Sequence, residues 1–270
     1  DDPLEQLKAA RHYALHVAAG YPALPRRVAR RRDGRLRIGY LSADFQQHPT
    51  SQLMAQMLES HDRDRFEVTL LSTGAEDGSV LRQRLRDGSE HFEDLRGQSF
   101  TAMAARVRAL GIDILVDLKG ATHDTLMPVL AQRPAPLQVS WLGFPGSTGA
   151  PYIDYFIGDP VTTPLADAAH FSEKIAQLPH CYQPNDAHRA LPQPSSRAQW
   201  GVPDEALVLC AFHQSYKISA EVFDSWCELL RELPHAVLWL LQWNTAAQAR
   251  LAAAAGERGV AAERLVFSPL

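Results

Sequence analysis

The sequence predicts an α/β protein of two doubly wound, parallel-sheet lobes, the second incomplete, preceded by an N-terminal helix. Three observations carry this. At 270 residues and 46% hydrophobic content, the chain can bury one large core or two medium ones. From Leu36 onward, short apolar runs alternate with amphipathic stretches of helical period, as when helices cover both faces of a parallel sheet. Between about residues 150 and 200 the alternation gives way to proline-rich, irregular sequence, then restarts at Leu207. The divisions that follow are 1–34 for the helix and a basic linker, 35–190 for the first lobe and 191–270 for the opening of the second.

Leu4, Leu7, Ala10, Tyr13, Ala14 and Val17 recur with helical period, and Gly20-Tyr21-Pro22 stops that helix. His12 and His16 lie four apart but lack a third metal ligand. Arg26 to Arg37 holds seven arginines in twelve positions, read either as a solvated linker or as a contact for phosphates or anionic lipid. Strands are expected at Leu36–Ser42, Phe66–Ser72, His91–Leu95, Ile112–Leu118 and Gln138–Leu142. Helices are expected near Gln52–Ser60, Leu81–Asp87, Thr101–Leu110 and Thr125–Ala131. Shorter strands follow at Tyr155–Ile157 and Lys174–Leu178, then a polar connector from Gln183 to Arg197. The second lobe reads as strand Leu207–Phe212, helix Ala220–Leu233, strand Ala236–Leu241, helix Thr245–Gly256 and strand Arg264–Phe267. Three strands are fewer than sheets usually carry, so the chain reads as truncated.

Cys181, Cys210 and Cys227 show no paired spacing, and Cys210 and Cys227 are expected to be buried small hydrophobes. A net charge of −4 gives no global reason to expect nucleic acid. No signal peptide and no apolar run of membrane-spanning length is present, which makes the cytoplasm the default location.

Chemistry concentrates at strand ends. The first strand delivers Asp44, His48, Pro49 and Thr50 to its carboxyl end, the edge that faces ligand in doubly wound sheets. Pro49 is expected to open the next helix at its first turn, with His48 close to the N-cap. There His48 either caps the helix, with Asp44 accepting local backbone bonds, or works on a ligand as donor or acceptor. In Val116-Asp117-Leu118-Lys119-Gly120-Ala121-Thr122, Asp117 and Lys119 are placed to pair or to border a cleft. Gly120 permits close backbone approach, and Thr122 is expected to cap the following helix. The loop Gly143–Gly149 has three glycines and could cradle an anion or merely turn; without Walker spacing and its lysine it is no ATPase loop. Asp159 and His180 read as turn-formers.

In the second lobe, the apolar run Ala206–Phe212 ends abruptly in polar residues, and a helix begins near Ser219. Gln214 and Lys217 then sit at a strand's carboxyl end beside a helix amino terminus, where amides and the helix dipole favour phosphate. Lys217 adds a full positive charge and Gln214 a hydrogen-bonding amide, although a lysine in this position also reads as a solvated loop residue.

Taken in order, Arg35–Phe45 with His48-Pro49-Thr50-Ser51, Leu130–Gln138, Trp141–Ala150, the Tyr216-Lys217 turn and Val237–Leu241 resemble the catalytic region of O-linked N-acetylglucosamine transferases. The resemblance runs from about Arg35 to the last residue. It implies two Rossmann-like lobes of the GT-B type and an inverting transfer of N-acetylglucosamine from UDP-GlcNAc to Ser or Thr hydroxyls of proteins. By the same resemblance His48, Asp44 and Lys217 are catalytic, and Gln214, Pro49, Thr50, Thr122, Leu142, Gly143 and Pro145 bind substrate. The expected partners are a UDP-sugar and a protein or peptide acceptor, with no nucleic acid, membrane, metal or other cofactor. Relatives carry a histidine, proposed as the base, in a segment of which only Leu4 to Tyr21 remains, so that residue is expected to be missing. Many also have tyrosine where this chain has Ala121, which implies an altered sugar or peptide contact. Rival readings are a protein N-glucosyltransferase using UDP-glucose, a non-catalytic UDP-sugar-binding or interaction module, and a UDP-sugar epimerase.

Overall fold

A computed structural model describes residues 2–26 and 34–269. Most of the basic run between Arg26 and Arg37 therefore lies outside the described residues. The chain forms two compact units, Asp1–Arg189 and Ala190–Leu270.

In the first unit, apolar runs form β1 (Leu36–Ser42), β2 (Phe66–Ser72), β3 (His91–Asp94), β4 (Ile114–Asp117), β5 (Leu137–Ser140), β6 (Tyr155–Gly158) and β7 (Lys174–Gln177). All pair in parallel, in the order β3-β2-β1-β4-β5-β6-β7. The winding reverses between β1 and β4. Crevices that bind ligands in open α/β sheets form at such a reversal, outside the strands' carboxyl ends.

Side chains alternate across the sheet. Leu41, Leu71 and Leu115 face one core with α1 (Pro3–Gly20), α4 (Phe100–Ala109) and α5 (Met127–Ala131). Ile38, Tyr40, Val68, Leu70 and Val116 face the other, beneath α2 (Pro49–Glu59) and α3 (Val80–Gly88). Polar caps set the helix starts: the Ser79 and Ser99 hydroxyls accept the Arg82 and Ala102 amides at 3.1 and 3.2 Å.

Thr122 does not cap a helix. The helix after β4 starts only at Met127, with Leu126 at its N-cap, because the intervening chain is spent on a turn. Thr122 Oγ1 donates to the Lys119 carbonyl at 2.8 Å, and Thr125 Oγ1 to that of Gly120 at 2.6 Å.

The second unit pairs β8 (Leu207–Ala211), β9 (Ala236–Leu241) and β10 (Leu265–Ser268) in parallel, in the order β10-β9-β8. Its core joins Phe223, Cys227 and Leu230 of α6 (Ala220–Glu232) to Leu238, Leu240 and Ala255, the last from α7 (Thr245–Glu257). Cys227 is buried as expected, but Cys210 is exposed. On β8, Leu209 and Ala211 turn toward the core, so the period of two sends Cys210 to the opposite face. No helix among the described residues is long and apolar enough to cross a membrane.

Candidate active site

The sheet register brings the turns after β1, β4 and β5 to one edge. Leu41 pairs with Asp117, and Asp117 with Ser140. The ladder extends one step further, with the Leu118 amide donating to Leu41 O (3.1 Å) and the Trp141 amide to Asp117 O (2.9 Å).

The turn after β1 is built from its own backbone and two neighbours. Ser42 Oγ accepts the Asp44 amide at 3.0 Å, and Ser51 Oγ donates to the Asp44 carbonyl at 2.5 Å. From α3, Arg82 donates to the Phe45 carbonyl at 2.6 Å and to Ser72 Oγ at 3.2 Å. This arginine is 1% exposed, lies over the Phe92 ring, and pairs with Glu76 at 2.9 Å. A hydrogen bond from Arg82 chiefly lowers the Glu76 carboxyl from its ordinary value.

Pro49 occupies the first turn of α2 and His48 is its N-cap. The His48 ring accepts the Thr50 amide at Nδ1, 3.2 Å away. An acceptor nitrogen carries no proton, so a neutral ring holds its hydrogen on Nε2 and presents a donor. The Asp44 carboxylate lies 3.8 Å from the same Nδ1, beyond hydrogen-bond reach. His48 and Asp44 are thus adjacent without forming a proton relay.

Asp44 is bonded elsewhere. Lys119 Nζ, from the turn after β4, reaches both of its oxygens at 3.0 and 2.9 Å. The two side chains are 8% and 10% exposed. This corrects the pairing of Lys119 with Asp117, one of the two readings that the closeness of those two residues in sequence left open. The Asp117 carboxylate instead accepts the Lys119 amide at 3.2 Å and the Gly120 amide at 2.8 Å, shaping the turn. Complete burial is the main cause that raises the Asp117 carboxyl to about 6, against those bonds and the charge of Lys119.

The third turn leans on the second. A Cβ on Gly143 would sit 2.6 Å from the Leu118 carbonyl carbon and 2.9 Å from Lys119 Cα, so only glycine lets these backbones meet. Its neighbour Leu142 adopts a left-handed φ of +69°, a conformation that costs an L-residue about 1–2 kcal/mol. Further along the loop, Glu173 accepts Ser147 Oγ at 2.7 Å, the Thr148 amide at 2.8 Å and the Thr148 hydroxyl. Gln6 of α1 donates to the Ser147 carbonyl at 3.0 Å.

Of the expected site residues, Asp44, His48, Pro49, Thr50, Thr122, Leu142, Gly143 and Pro145 all lie on this carboxyl edge of the first unit. Three of them, Asp44, Thr122 and Gly143, touch Lys119, which the sequence showed as pairing with Asp117 or bordering a cleft. Pro145 is exposed. Gln214 and Lys217 belong to the second unit. Gln214 precedes a single 3-10 turn, Ser215–Lys217, and α6 follows with Ser219 as its cap. Both residues are exposed, and Lys217 Nζ lies 5.9 Å from the centre of the Tyr216 ring. The α6 amide end thus lies two residues beyond the lysine, an arrangement suited to an anion. Among the described residues, no three His, Cys, Asp or Glu side chains converge on a metal position.

Comparisons with known proteins agree with this fold. The chain is 37% identical over 283 residues to the Arabidopsis thaliana protein named "Probable UDP-N-acetylglucosamine--peptide N-acetylglucosaminyltransferase SEC", covering 99% of this chain and 29% of that protein. A Caenorhabditis elegans UDP-N-acetylglucosamine–peptide N-acetylglucosaminyltransferase is 29% identical over 87% of this chain and 30% of its own length. Among solved structures, a lysine-to-methionine mutant of the Thermobaculum terrenum O-GlcNAc transferase superimposes with a TM-score of 0.87 at 31% identity. That match covers 99% of this chain and 51% of the solved one. The chain therefore spans under a third of these curated relatives and about half of the solved protein. The lipopolysaccharide outer core galactosyltransferase WaaB, at 12% identity and a TM-score of 0.52, shares the fold alone. The profile of glycosyl transferase family 41 matches residues 14–194 and 190–270, and the chain belongs to that family.

Proposed function

We propose that this chain forms part of the catalytic region of an inverting transferase that moves N-acetylglucosamine from UDP-GlcNAc to Ser or Thr hydroxyls of proteins. One observation carries the reading. A family 41 chain places Asp44, His48 and the Leu142–Pro145 loop together at the topological switch point of its large sheet, where such sheets take ligand.

In the transfer, the acceptor hydroxyl oxygen bonds to the anomeric carbon as the bond to the UDP oxygen breaks. The hydroxyl proton passes to a general base or to water, and UDP departs with an added negative charge. The protein must orient the acceptor in line and stabilise that charge. Lys217 and the amide end of α6 supply positive potential for the diphosphate, with Gln214 as a nucleotide contact. His48, capped at Nδ1, offers Nε2–H to a sugar or phosphate oxygen. Asp44 contributes a fixed anion beside it, while Pro49, Thr50, Thr122, Leu142, Gly143 and Pro145 shape the sugar and acceptor surroundings. No metal or other cofactor is assigned a role. The reading calls for a UDP-sugar and a protein acceptor in the cytoplasm, without nucleic acid or membrane.

The test uses the full-length protein with UDP-GlcNAc and a Ser/Thr peptide mixture, following UDP release and peptide mass. A gain of one N-acetylhexosamine that disappears in Lys217→Met supports the assignment. Transfer from UDP-glucose to asparagine peptides, with none from UDP-GlcNAc, would overturn it.

A further inference from the structure

We propose that Lys119 is a positioning residue of the transfer site, which acts by holding the Asp44 carboxylate in one orientation. The proposal rests on the transferase reading above. Its starting point is the sheet: β1 and β4 are neighbours at the switch point, and their register sets Leu41 beside Asp117. Asp44 and Lys119 lie three and two residues beyond those partners, so their side chains meet above the same edge. Nζ approaches both carboxylate oxygens almost equally, at 3.0 and 2.9 Å, which orients the carboxylate.

Neither turn needs this pair to fold. The backbone at Asp44 and Phe45 is held by Ser42, Ser51 and Arg82. The backbone at Lys119 and Gly120 is held by Asp117, Thr122 and Thr125. The ion pair is therefore an addition to two finished turns. A buried pair is at best weakly stabilising once desolvation is counted, whereas losing one partner strands a charge. Here the stranded charge would be Asp44, whose carboxylate already acts to raise that of Asp117, and His48 Nδ1 is occupied by Thr50. Geometry for chemistry accounts for the pair better than stability does.

The experiment compares Asp44→Asn, Lys119→Met and the double variant in the full-length protein, measuring kcat and KM for UDP-GlcNAc together with melting temperature. Lys119→Met is expected to lower kcat about 100-fold, the scale of a misplaced catalytic geometry, with KM changed less than about 3-fold. It is also expected to lower the melting temperature by about 5 °C or more. The double variant lacks both charges. Its melting temperature should return to the parental value while its kcat stays within about 3-fold of Asp44→Asn alone, because Lys119 acts through Asp44. Recovery of kcat together with stability in the double variant would show a purely structural pair and overturn the proposal. Near-parental kcat in Lys119→Met or in Asp44→Asn would overturn it equally. A parent protein that transfers no sugar at all would instead bring down the transferase reading, and this proposal with it.

Discussion

The two units present their candidate residues in opposite ways. In the seven-stranded unit, Asp44, Lys119 and Asp117 are buried, and each is fixed by partners within the protein. In the three-stranded unit, Gln214 and Lys217 stand exposed on one short turn, and the contact described for Lys217 is the Tyr216 ring. The first arrangement is built before any ligand arrives. On the proposed reading, the second would gain its partner from a bound anion. Removing a single partner from the buried set should therefore disturb folding and activity together, whereas replacing the exposed Lys217 should touch activity alone.

The largest effect expected is at Lys217. Replacement by methionine should lower kcat about 1,000-fold, the scale of losing a transition-state charge partner. The change in unfolding free energy should stay within about 0.5 kcal/mol, as for other exposed positions. Steady-state kinetics and a urea melt on the same preparation check both halves, and a large stability loss would break the contrast between the units.

Gly143→Ala should behave in the opposite sense. Its new methyl group would press on the Leu118 carbonyl and Lys119 Cα. A cost of about 3 kcal/mol is expected, typical of overpacking against backbone, with activity falling alongside. Unchanged denaturation midpoints would show that the loop shifts freely.

Asp117 sharpens the comparison through pH. Its folded-state value of about 6 exceeds the ordinary 3.8. Between these values the folded chain binds a proton that the unfolded chain does not, so this group's contribution to stability rises as pH falls through 6 and levels off below about 4. Relative to Asp117→Asn, the parent should gain about 2 kcal/mol between pH 7 and pH 4. Paired urea melts at the two pH values measure this, and the constant loss of one amide acceptor in the variant cancels in the difference.

The smallest effect is expected at the α2 cap. His48→Ala should cost about 1 kcal/mol, while His48→Asn should keep stability within a few tenths, since asparagine caps well. Both lose the Nε2 donor, and both should lose activity. If only the alanine variant is impaired in turnover, His48 serves the helix alone.

Much of this arrangement was legible in the sequence. Strand ends followed from apolar runs that stop abruptly, and the start of α2 from Pro49, because proline's missing N–H is harmless only there. The second-unit turn at Lys217 was equally readable, since strand, turn and helix are contiguous. What escaped was the pairing of Asp44 with Lys119, 75 residues apart. It depends on β4 lying beside β1, and local spacing carries no record of strand order. Proximity along the chain suggested Asp117 as the lysine's partner, but that carboxylate is consumed by two amides of its own turn. Arg82 escaped for a similar reason: nothing in α3 distinguishes this buried arginine from its solvated neighbours until the turn after β1 is placed against it. Thr122 looked like a helix cap by residue type, yet its hydroxyl closes a turn first.

The grip of Glu173 on the Gly143–Gly149 loop bears on self-modification. If the chain belongs to a transferase that glycosylates Ser and Thr, as proposed above, its own hydroxyls are potential acceptors. Those of Ser147 and Thr148 are 1% exposed, and both donate to one buried carboxylate. On the transferase reading proposed above, burial and these bonds would make both hydroxyls poor acceptors, although they lie in a loop assigned to the site.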